Sequence, residues 1–300
     1  MIDVKSVLKI LYETINKNTL FGDILNPEQR EFLISRSLVK SAKEGETLCE
    51  QGEMGHDLFL IINGEVEVQK WHKGRFLRLA HIKSGELFGE VAAVYDIPRI
   101  ATVVTTKQTV YLQIPVEALK DLMKKDPQIN ISVYHRCRYR ALENALRSVP
   151  CLEHVDESIL NDLQGYISIE SFEKDQLIIR QGEKDGKLYI ILSGKARVFS
   201  RVNHTDINIA LLKPGESFGE RALLLNTRRA ASVSSLTDLH AVSLSRDGFL
   251  FLIEKYPEIK AKFEEAVEKY DIKNERVVIG SESQQDVDAK IKAICDVFGE

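Results

Sequence analysis

The chain has 300 residues, of which 44% are hydrophobic and 29% are charged, and its formal net charge is −4. That length and apolar content can fill two domains of ordinary size. The slightly acidic balance excludes a global basic field that would draw the chain onto nucleic acid or an anionic membrane. The four cysteines form neither a C-x-x-C pair nor the dense framework of a secreted protein, which is typical of a reducing compartment.

No segment has the pattern of a targeting or membrane-spanning element. The first fifteen residues carry four charges, and no small-residue cleavage site follows them. No uncharged apolar stretch approaches the roughly 20 residues that a helix needs to cross a bilayer. We therefore expect a cytoplasmic protein that binds neither a membrane nor nucleic acid.

Helical patterns open the chain. Apolar residues recur at helical spacing from Val4 to Ile15, which predicts an amphipathic helix. Asn26 followed by Pro27 predicts an N-cap and a proline in the first helical position, because proline lacks an amide that would be unpaired there anyway. A second helix should therefore run to about Arg36.

Short apolar runs punctuated by glycine replace this pattern from about Val39 to Ile114, and they predict β-strands joined by turns. The pair Asn63-Gly64, between two such runs, predicts a tight β-hairpin. Helical periodicity returns from Val116 to Met123 and from about Ile129 to Arg147. The first half of the chain is thus predicted to be helix, barrel, helix.

The second half repeats this order, with a helix near Glu157 to Tyr166, strands from Ile167 to Leu244, and helices from Gly248 to about Lys273. These patterns predict an α+β fold of two tandem small antiparallel β-barrel or jelly-roll domains, each flanked by N- and C-terminal helices. The predicted boundaries are an N-terminal helix at 1–19, a first domain at 20–148, a second domain at 149–273, and a tail at 274–300 with a short amphipathic helix.

An internal repeat supports this division. Phe88-Gly89-Glu90, followed nine residues later by Arg99, returns 130 positions further on as Phe218-Gly219-Glu220 followed by Arg229. The triplet Gln51-Gly52-Glu53 likewise returns as 181–183. Copies of this length are larger than the units of solenoids and propellers, so each copy should have its own core.

The repeated residue types suit a phosphorylated sugar. An ionised glutamate can only accept hydrogen bonds, so a ribose hydroxyl is a natural donor to it. An arginine can contact phosphate oxygens, and a short helix after Gly89 would aim unpaired amides at an anion. The alternative is an ordinary surface ion pair, but such pairs contribute little stability. Duplication with the same surrounding glycines favours two pockets.

Residues 85–102 and 215–232 resemble the phosphate-binding cassette of cyclic nucleotide-binding domains. The tandem arrangement resembles that of regulatory subunits of cyclic AMP-dependent protein kinases. The resemblance implies that Glu90 and Glu220 bind the ribose 2′-hydroxyl, and that Arg99 and Arg229 bind the cyclic phosphate. The backbone amides that would complete the two cradles belong to Gly89, Ala92, Ile100, Gly219, Ala222 and Ala230.

The resemblance also bears on the base. In cyclic GMP-selective relatives a threonine commonly follows the arginine, whereas Ile100 and Ala230 offer no hydroxyl here. The implied ligand is cyclic AMP at two sites, with no other cofactor and no metal. The aromatic lid over the adenine is matched in the second site by Tyr270. For the first site the lid position falls near Ser158, and Tyr134 or Tyr139 would have to substitute.

The implied function is a sensor without enzymatic activity whose inter-domain orientation changes on nucleotide binding and controls a protein kinase catalytic subunit. Residues 1–25 contain no Arg-Arg-rich inhibitor segment. A stand-alone sensor therefore stays open, as does a pocket that is inactive or binds a different nucleotide. The basic run from His135 to Arg140 is either a solvated helix face or a site for an acidic partner.

Two other functional classes find little support. A nucleotide-responsive transcription factor needs a basic helix after the sensor, but residues 281–300 have two lysines against five acids. The seven histidines show no metal-ligand spacing, and no GxSxG, HExxH or Walker-type motif occurs. We therefore expect neither a DNA-binding protein nor an enzyme.

Overall fold

The computed structural model describes residues 4–18, 21–72, 75–149, 152, 157–184, 186–202 and 205–277. The chain divides into two compact units, 1–140 and 141–300. The predicted boundary at 148/149 stays a prediction. Each unit contains one copy of the sequence repeat.

The first unit opens with helices α1 (Val4–Lys17) and α2 (Pro27–Ser35). Asn26 caps α2 reciprocally with Gln29: the Gln29 amide donates to the Asn26 side chain at 2.9 Å, and the Asn26 amide donates to the Gln29 side chain at 2.8 Å. This capping box satisfies two amides that the helix leaves unpaired. Both predicted helices are confirmed.

The strands of the first domain are β1 (Leu38–Ala42), β2 (Thr47–Cys49), β3 (Asp57–Asn63), β4 (Glu65–His72), β5 (Arg75–Lys83), β6 (Leu87–Phe88), β7 (Thr102–Thr105) and β8 (Thr109–Pro115). A short helix, α3 (Glu90–Tyr95), lies between β6 and β7. Helices α4 (Val116–Lys125) and α5 (Pro127–Ser148) follow the last strand.

These strands form two four-stranded antiparallel sheets, in the orders β1-β8-β3-β6 and β2-β7-β4-β5. Side chains on their inner faces, among them Phe59, Ile61, Val66 and Val103, pack into one buried cluster. Alternate residues of β3, such as Leu58 and Leu60, belong to a second cluster that includes the helices. The predicted jelly-roll with flanking helices is confirmed.

The predicted hairpin at Asn63-Gly64 is wrong. β3 pairs with β6 and β8, whereas β4 pairs with β5 and β7, so this turn carries the chain from one sheet to the other. Gly64 has a φ of 119°, and a Cβ there would lie 2.6 Å from the Thr109 Cα. The glycine is needed because the backbone turns a crowded corner, and the sequence pattern does not distinguish this from a hairpin turn.

The elements of the second unit are α6 (Glu157–Leu163), β9 (Ile167–Phe172), β10 (Leu177–Ile179), β11 (Leu188–Ser193), β12 (Ala196–Val202), β13 (Thr205–Leu212), β14 (Ser217–Phe218), α7 (Glu220–Leu224), β15 (Ser232–Ser235), β16 (Leu239–Leu244), α8 (Arg246–Lys255) and α9 (Pro257–Val277). They repeat the architecture of the first unit with two sheets, in the orders β10-β15-β12-β13 and β14-β11-β16-β9. The predicted tail helix lies outside the described residues. Among the helices that are described, none is long and apolar enough to cross a membrane.

Candidate functional site

The two repeated arginines are buried inside the segments 85–102 and 215–232, which we call the first and second cassettes. Arg99 is 4% exposed and donates from Nη1 to the Gly89 carbonyl at 2.9 Å and from Nη2 to the Asp57 carbonyl at 2.8 Å. Arg229 is 5% exposed and donates in the same way to Gly219 at 2.6 Å and to Lys187 at 2.9 Å. The structure therefore builds one arrangement twice, in which backbone carbonyls hold a buried guanidinium group.

Glycine is required at the start of each cassette helix. Gly89 precedes α3 with a φ of 83°, and Gly219 precedes α7 with a φ of 96°. Both values lie in the left-handed region, which residues with a Cβ rarely adopt. A Cβ at Gly89 would lie 2.7 Å from Arg99 Nη1, and one at Gly219 would lie 2.8 Å from Arg229 Nη1. Each glycine thus fixes the turn and leaves space for the guanidinium.

The cassette helices present backbone amides beside these arginines. The Ala93 amide donates to the Gly89 carbonyl at 3.1 Å, so the amides before it, including that of Ala92, are not used by the helix ladder. Ala92 and its counterpart Ala222 are both buried, at 3% and 6% exposure. A small side chain there lets a ligand approach the backbone, whose amides and helix dipole favour an anion.

The repeated Gln-Gly-Glu triplet forms backbone hydrogen bonds with each arginine. The Gly52 amide donates to the Arg99 carbonyl at 2.8 Å, and the Arg99 amide donates to the Glu53 carbonyl at 2.8 Å. In the second cassette the corresponding bonds involve Gly182, Arg229 and Glu183, at 2.8 and 2.7 Å. The triplet was noted in the sequence only as part of the repeat, and its contacts show that it positions the arginines.

Two further glycines lie against the guanidinium groups and were missed in the sequence. A Cβ at Gly55 would lie 2.7 Å from Arg99 Nη2, and one at Gly186 would lie 1.6 Å from Arg229 Nη2. Counted along the repeat, Gly186 corresponds to His56 rather than to Gly55, so a residue-by-residue alignment hides the pair. The available signal was a glycine shortly before a buried strand in both copies.

Glu90 is 6% exposed, and burial raises the pKa of its carboxyl, while Arg140, Arg136 and Arg99 act in the opposite direction. The side chains of Arg136 and Arg140 line a cavity of about 480 Å³ beside Glu90, together with residues of α1. These arginines belong to the basic run of α5. At these two positions the run is therefore part of the site's surroundings rather than a solvated helix face.

Glu220 has a different environment. Its Oε2 is buried and has no hydrogen-bond partner among the described residues. Burial raises the pKa of this carboxyl to about 7, opposed by its own backbone amide and by Arg229. The two glutamates occupy equivalent positions, and burial raises the pKa of both carboxyls.

The remaining predicted site residues are those that follow the arginines and those expected to form an aromatic lid. Ile100 is half-buried and Ala230 is exposed, and each follows its arginine directly. Tyr270 belongs to α9, but its side chain lies outside the described residues. Ser158 is exposed, and Tyr134 packs edge-on against Tyr95 with ring centroids 5.5 Å apart. An aromatic lid over either cassette therefore stays a prediction.

Metal binding has no visible site in the described part of the chain, because no three histidine, cysteine or acidic side chains there are grouped closely enough to hold an ion. The functional groups brought together are instead cationic guanidinium groups, backbone amides and single buried carboxyls. Such a set can bind an anion that also carries a hydroxyl donor.

The chain thus contains two jelly-roll domains in tandem, each with one such cassette. The sequence model described as "Cyclic nucleotide-binding domain" matches residues 39–126 and 169–256. The chain therefore belongs to the cyclic nucleotide-binding domain family. Both matched ranges contain one cassette with its arginine and its glutamate.

Relatives of known function are similar over most of this chain. The human cGMP-dependent protein kinase 2 is 26% identical over 259 residues, which are 85% of this chain and 32% of the kinase. The cAMP-dependent protein kinase regulatory subunit of Yarrowia lipolytica is 28% identical over 246 residues, 82% of this chain and 62% of the subunit. The chain thus spans less than two thirds of either relative.

Solved structures that match this chain include the regulatory domain of Toxoplasma gondii PKA with cAMP, at 22% identity and a TM-score of 0.42, covering 89% of this chain and 99% of that chain. The regulatory subunit of a cAMP-independent protein kinase A from Trypanosoma cruzi bound to guanosine matches at 22% identity and a TM-score of 0.40, covering 91% and 95%.

Proposed function

We propose that the chain is a cyclic nucleotide sensor that binds cyclic AMP in both cassettes and thereby controls a protein kinase catalytic subunit. The observation that carries the proposal is the duplicated cradle, in which a buried arginine lies against a left-handed glycine at the start of a short helix. Folding alone gives no reason to bury two such cations, because removing a guanidinium from water is costly.

The phosphate is assigned to Arg99 and Arg229. Two backbone carbonyls hold each guanidinium, so little side-chain entropy remains to be lost on binding. Within the described residues, Arg99 Nε is buried without a hydrogen-bond partner. A phosphate oxygen would satisfy this donor, and the amides of Gly89 and Ala92, with Gly219 and Ala222 in the second cassette, would add further contacts.

The ribose 2′-hydroxyl is assigned to Glu90 and Glu220. The unpaired Oε2 of Glu220 is an acceptor that a sugar hydroxyl would satisfy. In the first cassette burial raises the pKa of the Glu90 carboxyl, and the nearby arginines oppose that rise and so favour the carboxylate, which is the form that accepts the hydroxyl.

The base preference rests on the residues after the arginines. Ile100 and Ala230 have no hydroxyl to bond a guanine amino group, which favours cyclic AMP. The amides of these two residues are proposed to complete the cradles. A different nucleotide in one pocket remains an outcome that the titration below distinguishes.

The kinase partner rests on the relatives. The fungal relative is a regulatory subunit of a cAMP-dependent protein kinase, and the human relative is itself a cGMP-dependent kinase. A family whose matched part is a binding domain supports a role without catalysis for this segment. A stand-alone sensor is the alternative, and failure to bind any kinase catalytic subunit would favour it.

Calorimetric titration with cyclic AMP and cyclic GMP tests the ligand and the number of sites. Arg99→Ala and Arg229→Ala should each remove one site or weaken it by roughly one to two decades, because a charge-assisted contact contributes on the order of 1.5 to 3 kcal/mol. Arg78→Ala removes an exposed arginine of β5 and serves as the control. Unchanged affinities in both cassette variants would contradict the proposal.

A further inference from the structure

Lys70 is a lysine on the inner face of the first barrel. Residues alternate along β4, so that Val66, Val68 and Lys70 all point inward. Val66 and Val68 belong to the buried cluster of the barrel, and Lys70 is only 1% exposed. Lysines are almost never fully buried unless they are paired, and Lys70 has an interaction within the protein.

The position of Lys70 is tied to the first cassette by hydrogen bonds. The Trp71 amide donates to the Gln51 side chain at 2.7 Å, and the Gln51 amide donates to Thr102 Oγ1 at 3.0 Å. Gln69 lies opposite Thr102, the first residue of β7 after the cassette. Lys70 therefore lies at the end of the barrel where the cassette returns to the sheet.

The inner surface near Lys70 continues to the phosphate cradle. The Arg99 guanidinium lies 5.4 Å from the centre of the Phe59 ring, and Phe59 shares one buried cluster with Val68, Leu79 and Ala101. When its phosphate binds Arg99, a nucleotide can lay its base along this apolar inner surface. The base then extends toward Lys70.

The second domain has a short neutral residue at the same position. Ser200 corresponds to Lys70 in the repeat, and Ser200 Oγ accepts from Gln181 Nε2 at 3.0 Å. The Arg201 amide donates to Gln181 Oε1 at 2.9 Å, as the Trp71 amide does to Gln51. The surrounding framework is thus equivalent, and the two pockets differ here by an ammonium group.

We infer that Lys70 is a specificity-determining residue of the first pocket, where its ammonium group favours bases that present a carbonyl oxygen at their edge. The inference rests on the proposed function and deepens it. A lysine has three donors and no acceptor. Guanine offers O6 and N7 as acceptors, whereas adenine presents a donating amino group in place of O6. The cyclic GMP to cyclic AMP affinity ratio should therefore be higher in the first pocket than in the second.

The protonation state of Lys70 fits this role. Burial lowers its pKa to about 8, so the ammonium form still predominates at neutral pH. A carbonyl acceptor on the ligand offsets part of the cost of burying that charge, whereas an amino group opposite it adds to the cost.

The test uses Arg229→Ala in the full chain to isolate the first pocket. Calorimetry then compares this chain with the chain that carries Lys70→Met as well. The ligands are cyclic AMP, cyclic GMP and cyclic IMP, because inosine has the carbonyl of guanine without its 2-amino group. Lys70→Met should weaken cyclic GMP and cyclic IMP by about tenfold and change cyclic AMP by less than about threefold. Methionine fits a buried site without a charge, so this variant should fold.

The reciprocal variant is Ser200→Lys in an Arg99→Ala chain, which should raise the cyclic GMP to cyclic AMP ratio of the second pocket. Lys43→Met, at an exposed lysine of the same domain as Lys70, is the matched control and should leave all ratios unchanged. An equal change for all three nucleotides, or no change in Lys70→Met, would overturn the inference while leaving the proposed function intact. If the unsubstituted first pocket did not bind cyclic AMP, the proposed function would fail, and if it bound none of the three nucleotides, this inference would fail with it.

Discussion

At the scale of single residues, glycines, which have no side chain, determine where the cassette arginines lie. Gly186 and Gly55 leave space for the two guanidinium groups, and Gly186 is the tighter of the two, since a Cβ there would lie 1.6 Å from Arg229 Nη2. Both Nη2 atoms already bond a neighbouring carbonyl, so neither group can shift without losing a hydrogen bond. The positions of these arginines therefore depend on two residues that have no side chain.

Gly186→Ala should displace Arg229 and weaken nucleotide binding in the second pocket by at least about tenfold, because the guanidinium must leave its carbonyl partners. The measurement is calorimetric titration in an Arg99→Ala chain. Gly165→Ala is the matched control, since a Cβ at Gly165 would meet no atom within 4 Å. Equal affinities in the two glycine variants would show that the arginine position does not depend on Gly186.

Proton release should accompany binding at Glu220. Its pKa of about 7, raised from 4.5 by burial, means that folding leaves the carboxyl protonated where the unfolded chain is ionised. This group's contribution to stability is therefore complete below about pH 4.5 and is lost as the pH rises through about 7. A ribose hydroxyl that donates to the carboxylate reverses the preference and expels the proton.

The affinity of the second pocket should consequently rise by about tenfold between pH 6 and pH 8. Titrations in buffers with different ionisation enthalpies, in an Arg99→Ala chain, measure the proton released. Glu220→Gln should abolish the pH dependence, because the amide does not titrate. A flat affinity profile in the unsubstituted pocket would mean that the carboxyl is already ionised before the ligand binds.

At the scale of elements, each barrel places an aromatic ring in the equivalent part of its interior, but the ring comes from a different strand in each. In the first barrel Tyr111 of β8 packs edge-on against Phe59, with ring centroids 5.9 Å apart. In the second, the position of Tyr111 is Ala241, and Phe172 of β9 packs edge-on against Tyr189 at 5.9 Å. Ala42 of β1 stands where the second copy has Phe172. The aromatic ring thus comes from β8 in the first barrel and from β9 in the second, and it fills the same part of the interior in both.

Tyr111→Ala should destabilise the first domain by about 3 kcal/mol, because it leaves an unfilled space next to Phe59. Ala42→Phe should cost about 1 to 3 kcal/mol by overpacking when Tyr111 is present, yet it should restore stability when Tyr111 is alanine. Chemical unfolding of the two single variants and the double variant measures this coupling. Strictly additive effects would show that the two positions do not share one space.

The sequence predicted regular elements well where one pattern dominates. The cap at Asn26 and the strand runs follow from local residue preferences, and the structure confirms them. The sequence could not predict that Asn63-Gly64 links two sheets, because a glycine at a crowded corner and a glycine in a hairpin turn have the same sequence pattern. Gly186 escaped notice because the loop between repeated segments shifts its glycine by one position.

The surroundings of the site depend on contacts between distant segments. Arg136 and Arg140 lie on α5, more than forty residues after Glu90, and only the fold brings them to the cavity beside it. Lys70 reads as an ordinary polar residue until the alternation along β4 shows that it points inward. Side chains of the cassettes were predictable because the repeat marks them, whereas these residues are not repeated.

At the scale of the whole molecule, α5 is a single helix from Pro127 to Ser148, and the division between the two compact units falls within it, after Arg140. Two arginines of this helix oppose the effect of burial on the Glu90 carboxyl. A ribose hydroxyl bound to Glu90 would compete for the same carboxylate. Nucleotide binding should therefore change the contacts that hold α5 to the first cassette.

A ligand moves a two-state protein only if it binds one state better, and this competition supplies such a difference. Saturating cyclic AMP should therefore change the small-angle scattering profile of the chain, either by compaction or by reorientation of the two units. The doubly substituted chain Arg99→Ala/Arg229→Ala should give the same profile with and without nucleotide. If the unsubstituted chain bound nucleotide at both sites by calorimetry and its profile stayed unchanged, the pockets would act through a surface that does not require the units to move.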